Sequence, residues 1–278
     1  MNIVIIGVGL IGGSMALSLR GFQTNIIGVD NNPENAKRAL ELGLVDKIMS
    51  LDDALKTGDL IIVAVSVDSI EQLLPRILNK IKHDAVVVDM GSTKQRICEA
   101  VKNHQRRNNF VASHPIAGTE YSGPDAALSD LFTGKVSIIC EKELSSENAL
   151  TRIKEMYKIL KMRVIYMNSK EHDKHIAYVS HLSHITSFVL SLTVFEIEKS
   201  EKNIFNLAGS GFASTVRLAK SSPDMWSPIL EQNSEHLSKA LTTYINFLNK
   251  FKTSIEGKNR NKLHELIKEA NVIKKVLK

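Results

Sequence analysis

Two cysteines, one tryptophan and six prolines in 278 residues remove several classes of protein at once. Cys98 and Cys140 stand in no CxxC or metal-ligand spacing, which excludes a disulfide framework and fits a reducing compartment. Aromatic residues make up 5%, too few for a sheet that stacks bases on rings, so a nucleic-acid partner is not expected. Wholesale disorder is excluded by the balance of 43% hydrophobic and 24% charged residues. The apolar opening MNIVIIGVGLIGGSMALSL imitates a signal or spanning segment, but it lacks a positive n-region and its glycines are spaced for a turn. No other run approaches 18 uninterrupted apolar residues. The expectation is a soluble, cytoplasmic protein with no membrane partner.

The length suits two domains at about 150 residues each. The net charge of +6 is unevenly placed, since Lys250 to Lys278 holds nine Lys/Arg against three Asp/Glu. Those charges alternate with Leu, Ile and Val at helical spacing, the pattern of a solvated helix face. Seven runs read as strands: Asn2–Ile6, Asn25–Val29, Leu60–Val65, Ala85–Asp89, Phe110–Ser113, Val136–Cys140 and Val164–Met167. Most are apolar throughout, as a sheet covered on both faces requires. Helix signals separate them, with Asn32-Pro33 opening one and Ser145-Ser146-Glu147 another. After Asn168 the strand signals stop, and Ile176–Ile197, Met225–Thr253 and Lys258–Val276 show helical periodicity. The expected fold is an α/β doubly wound parallel sheet over residues 1–167, followed by an all-α domain over 168–278.

Gly7-Val8-Gly9-Leu10-Ile11-Gly12 is a GxGxxG between a five-residue apolar strand and a helix. The first glycine permits the turn, the second admits a pyrophosphate, and the third lets helix and strand pack closely. The helix N-terminus adds a favourable dipole. Asp30 ends the next strand, 18 positions after Gly12. A carboxylate there accepts from both ribose hydroxyls and repels a 2′-phosphate, and no arginine follows it. This Rossmann-type pattern selects NAD over NADP as cofactor. Val65 and Ser66, at the end of the third strand, join Gly7, Gly9, Leu10, Ile11, Gly12 and Asp30 as cofactor-site candidates.

Substrate groups are expected at the carboxyl ends of the strands. Ser92, in GSTK at 91–94, could reach the nicotinamide or cap a helix. His114, in SHPIAGTE at 113–120, ends a strand beside a glycine loop and suits a proton acceptor near neutral pH. His172, His175, His181 and His184 form two HxxH spacings, one of them expected to line the interdomain cleft; with no cysteine nearby, no metal site is expected. Arg217, in the helical region, is of the type that grips a carboxylate at two points.

Together these segments resemble the prephenate dehydrogenase family of tyrosine biosynthesis. The resemblance rests on GVGLIGGS at 7–14, Asp30, GSTK at 91–94, SHPIAGTEYSG at 113–123, the EHD and VSHLSH run at 171–184, and GSGFASTVRLAKSSPDMW at 209–226. It implies NAD-dependent oxidative decarboxylation of prephenate to 4-hydroxyphenylpyruvate and CO2, by hydride transfer to nicotinamide. It also implies that His114 polarises the ring hydroxyl, that Ser92 orients His114 and the cofactor, and that Arg217 anchors a carboxylate. His184 or His181 is implied as a further substrate contact, as is Gly211 in the segment of Arg217, and Glu120 is implied as a gating or orienting acid. Trp226 is implied to approach the neighbouring subunit's site in a homodimer formed through the helical domain. Related enzymes often carry an aspartate three residues before the arginine, where this chain has Ser214. The chain ends soon after the helical region, so neither a regulatory domain nor a fused mutase is expected. Three alternatives are weighed: an arogenate or dual-specificity cyclohexadienyl dehydrogenase, a β-hydroxyacid dehydrogenase, which would usually place a catalytic lysine in the helical domain, and an NAD-sensing regulator without turnover.

Overall fold

The computed structural model describes residues 1–21, 24–201 and 203–276. Its centre is an eight-stranded sheet: β1 (Asn2–Ile6), β2 (Asn25–Val29), β3 (Lys47–Ile48), β4 (Leu60–Val63), β5 (Val86–Asp89), β6 (Phe110–Pro115), β7 (Val136–Cys140) and β8 (Arg163–Met167). The spatial order is β3-β2-β1-β4-β5-β6-β7-β8. Every neighbouring pair is parallel except β6 and β7, where His114 faces Ile138 in an antiparallel register. β3 is the strand that sequence reading passes over, its two residues being too few to make a run. β6 runs two residues beyond its expected end, so His114 lies inside the strand.

The all-apolar strands are explained by two buried layers. Val4, Ile6, Ile27, Val29, Ile61 and Val63 point to one layer, and Ile3, Ile5, Ile26, Leu60, Ile62, Val86 and Val88 to the other. Each such side chain contributes about 1.5–3 kcal/mol by leaving water, which fixes the strand register on both faces. The covering helices are α1 (Leu10–Leu19), α2 (Pro33–Glu41), α3 (Leu51–Thr57), α4 (Val67–Lys80), α5 (Gln95–Val101) and α6 (Glu147–Ile159). Asn32, Ser50 and Ser146 cap α2, α3 and α6 by accepting main-chain N–H bonds, and Pro33 takes the first helical position of α2.

After β8 come α7 (Ser169–Ile176), a π-helical turn (Ala177–His181), α8 (Leu182–Glu198), α9 (Ser210–Thr215) and α10 (Pro223–Gln232). The helix running through Ser169–Glu198 is long and apolar enough to cross a bilayer by length and composition, and only 11% of its most apolar window is buried. The backbone leaves helical geometry at Asn233 (φ −103°, ψ 23°), which divides the expected helix Met225–Thr253. Met1–Asn233 is one compact unit; Ser234–Lys278 is a second, containing α11 (Ser234–Glu256) and α12 (Arg260–Ala270). The last two residues of the basic tail lie outside the described residues.

Candidate active site

The glycine loop joins β1 to α1 beside β4, where the strand order reverses, the usual site for a nucleotide in an open α/β sheet. Gly7 turns with φ +90°, and a Cβ on it would lie 2.6 Å from the Ala64 oxygen and 2.9 Å from a methyl of Val65. A Cβ on Gly12 would lie 1.9 Å from the Gly7 oxygen, so α1 rests directly on the turn. A Cβ on Gly9 would meet nothing nearer than Gly123 at 3.9 Å, which leaves open space over the middle of the loop. No side chain caps α1 at Gly9, and the following Leu10 and Ile11 are partly buried. Asp30 braces the loop by accepting the Val8 N–H at 3.0 Å and the Asn32 N–H at 2.9 Å. Val65 and Ser66 sit at the start of α4 next to Gly7, with Ser66 Oγ bonded to Ser69 Oγ at 2.9 Å. Open space, an uncapped helix start and a nearby carboxylate together fit a dinucleotide.

One step along the sheet lies a buried polar network. Asp89, the last residue of β5, accepts the N–H groups of Gly91 (2.9 Å) and Ser113 (3.0 Å) and pairs with the buried ammonium of Lys94. Lys94 starts α5, which has no cap of its own. Asp173 supplies the cap from α7, its carboxylate accepting Lys94 N–H at 2.7 Å and Gln95 N–H at 2.9 Å. Asp173 also bonds His172 Nδ1 at 2.7 Å, and His172 Nε2 bonds His114 Nδ1 at 2.8 Å. His114 is 9% exposed. Burial, together with His172, Lys94 and His181, holds its pKa well below the ordinary 6.5, so the imidazole is neutral. Burial also lowers the pKa of His172, against the pull of Asp173. Ser92 is partly buried in the loop before α5 and makes no hydrogen bond to His114 among the described residues; that contact is made by His172. Sequence reading grouped His172 with His175, His181 and His184 as candidates to line the cleft and gave Asp173 no role. The one available signal was the acidic residue directly following a histidine.

The π-helical turn separates the two later histidines. His181 is fully buried, its Nδ1 facing the Asn233 amide at 3.1 Å. His184 is half-buried, donates from Nδ1 to the Ser180 carbonyl at 3.1 Å, and stacks on Trp226 with ring centroids 3.5 Å apart. Trp226 is itself buried within its own chain. Arg217 and Glu120 meet at 2.6 Å, across 97 positions of sequence. Its own backbone amide and Arg217 hold the Glu120 carboxyl below its ordinary value, so the pair is ionic. Ser214 bonds back to the Gly211 carbonyl at 2.9 Å, and Gly211 is exposed. Glu120 therefore partners the arginine, with Ser214 turned to its own helix.

Two family models match the chain. Residues 14–166 match the nucleotide-binding domain of prephenate dehydrogenase, and residues 168–269 match the dimerization domain of the same enzyme. The chain belongs to the prephenate dehydrogenase family. It is thus an oxidoreductase with a nucleotide-binding α/β domain followed by a helical one. It is 30% identical over 274 residues to prephenate dehydrogenase of Bacillus subtilis, covering 97% of this chain and 74% of that one. It is 28% identical over 281 residues to cyclohexadienyl dehydrogenase of Zymomonas mobilis, covering 100% of this chain and 96% of that one. The structure of prephenate dehydrogenase from A. aeolicus in complex with hydroxyphenyl propionate and NAD+ superposes with a TM-score of 0.90 at 32% identity, covering 100% and 98% of the two chains.

Proposed function

We propose that the chain binds NAD at Gly7–Gly12 and Asp30 and oxidatively decarboxylates prephenate to 4-hydroxyphenylpyruvate and CO2. The observation that carries this reading is His114: neutral, buried, with Nδ1 engaged and Nε2 without a partner among the described residues. NAD supplies the hydride acceptor. His114 accepts a hydrogen bond from the ring 4-hydroxyl and takes its proton as hydride leaves the same carbon. Loss of CO2 aromatises the ring, which supplies most of the driving force, and the phenolic oxygen recovers the proton. The protein's share is alignment and one transient proton. Arg217 anchors a substrate carboxylate, which displaces Glu120 from the guanidinium. His184 offers a second contact, Gly211 exposed backbone beside Arg217, and Ser92 a hydroxyl toward the nicotinamide. His181, fully buried, meets edge-on the Trp226 ring on which His184 stacks, and does not itself reach substrate.

Prephenate is favoured over arogenate because Ser214 brings no carboxylate for an amino group. A homodimer, formed by the helical region over 168–278, covers the exposed apolar side chains of α8, and the cytoplasm is the compartment. NADH formation with prephenate and with arogenate, each paired with NAD and NADP, tests the activity. Turnover with prephenate and NAD that falls about 10²–10⁴-fold in His114→Asn is the expected result. Preference for arogenate keeps the mechanism and changes the substrate. Tight NAD binding with no turnover of either would replace this reading with that of a cofactor-sensing regulator.

A further inference from the structure

Asp173, His172 and His114 form a line of hydrogen bonds whose direction is dictated by its far end. Lys94 N–H and Gln95 N–H can only donate, so both Asp173 oxygens accept. Burial opposes ionisation of Asp173, but the His172 bond and the two amides outweigh it, and its pKa is lowered. Beside an ionised carboxylate, His172 Nδ1 carries the hydrogen. A neutral imidazole has one N–H, so His172 Nε2 is a lone pair and must accept from His114 Nδ1. The single hydrogen of His114 is then spent on His172, and Nε2 is left as a lone pair. The opposite tautomer would present an N–H to the substrate hydroxyl and could not take its proton.

We propose that His172, backed by Asp173, is a positioning residue that holds His114 in the tautomer whose Nε2 accepts the substrate proton. The inference rests on the reading above for the identity of the acceptor. When the hydroxyl O–H bond breaks and Nε2–H forms, the imidazolium charge is shared through Nδ1–H to His172 and Asp173. Departure of CO2 leaves its electron pair in the ring, and the oxygen takes the proton back, so the pair is unchanged over a cycle. The titratable groups acting on His114 are His172 from α7, Lys94 from the β5–α5 segment and His181 from the π-helical turn, and those acting on His172 are Asp173, Lys94 and Asp89. Asp89 neutralises Lys94 within the core, which leaves Asp173 as the carboxylate in line with the two rings.

Two measurements test this on the intact protein. In protein labelled with 15N-histidine, imidazole shifts and couplings of His114 report the protonated nitrogen without substrate or turnover. A hydrogen on Nδ1 is expected; a hydrogen on Nε2 overturns the proposal whatever the substrate proves to be. The second is a comparison of His172→Phe, which removes the acceptor, with His172→Gln, whose amide oxygen can restore it. The expected result is a kcat about 10²–10³-fold lower in the phenylalanine variant at unchanged KM for NAD, recovered at least tenfold by glutamine. Equal activity in two folded variants would mean that His172 merely fills space. If Nδ1 carries the hydrogen but His114→Asn retains turnover, the tautomer assignment stands and the proton-acceptor reading falls. If the phenylalanine variant does not fold, the wild-type spectrum alone decides.

Discussion

A buried imidazole with one nitrogen facing an amide and the other facing nothing is held in place by the fold around it. His181 is in that position: Nδ1 meets the Asn233 side-chain N–H, and Nε2 has no partner among the described residues. Burial pulls its pKa from 6.5 down to about 4. The unfolded chain therefore binds a proton before the folded one as pH falls, so this share of stability is complete above about 6.5 and is lost between there and about 4. The loss is about 3 kcal/mol. Urea midpoints of wild type and His181→Phe at pH 7 and pH 4.5 check it: the wild type should weaken more steeply with acid. Parallel slopes would clear His181 of the effect. His114, the glycines and Asp30 were readable in the sequence because each lies next to the turn or strand that gives it meaning. The partners of His114 were not, since 58 positions separate it from His172. Lys94 likewise was given no role by the sequence, and its partner Asp89 is known only from the buried pair the fold makes.

At the scale of elements, the junction of β1 and α1 separates two roles that one motif combines. Gly12 is needed for packing, because a Cβ there would collide with the Gly7 carbonyl at 1.9 Å. Gly9 is needed for space that the protein itself does not fill. Gly12→Ala should cost about 1–3 kcal/mol of stability as α1 is pushed off the turn. Gly9→Ala should melt close to wild type and yet bind NAD at least about tenfold more weakly, a loss of roughly 1.4 kcal/mol. Thermal melts beside NAD titrations by fluorescence quenching separate the two; a Gly9→Ala protein that binds NAD normally would move the phosphates elsewhere. Strand positions other than β3 were legible because short, β-branched apolar runs bounded by turn residues suit a doubly covered strand. The reversal at β7 and the π-helical turn were not, since neither changes the local periodicity. The capping of α5 by Asp173 also escaped local reading, because the carboxylate comes from α7.

For the whole molecule, the unsettled surface is the apolar one. Leu192 on α8 is 68% exposed and Phe195 58%, with Val189 beside them, and α11 exposes Ile245, Phe247 and Leu248. Large apolar side chains exposed on each of these helices mark contact with protein or lipid. A second copy is the proposed cover, in keeping with the match of 168–269 to a dimerization domain. Sedimentation should therefore give twice the 30.9 kDa chain mass, and Leu192→Asp should shift the equilibrium toward single chains. A single species at the chain mass, or recovery with vesicles, would count against the dimer and against a soluble protein respectively.

The sequence by itself determined every strand but β3, together with the glycine loop, the acid at Asp30 and the histidine of β6. Hydrophobic period, turn chemistry and capping act over a few residues, and a chain carries them openly. Tertiary structure decided the rest: that Glu120 holds Arg217, that His184 stacks on Trp226, and that His172 meets His114. Those pairings bring together side chains 42 to 97 positions apart. Only the packing of α7–α10 in the folded chain closes such distances, and burial then keeps the two imidazoles neutral while the hydrogen bonds that end on Asp173 give the line of rings its direction.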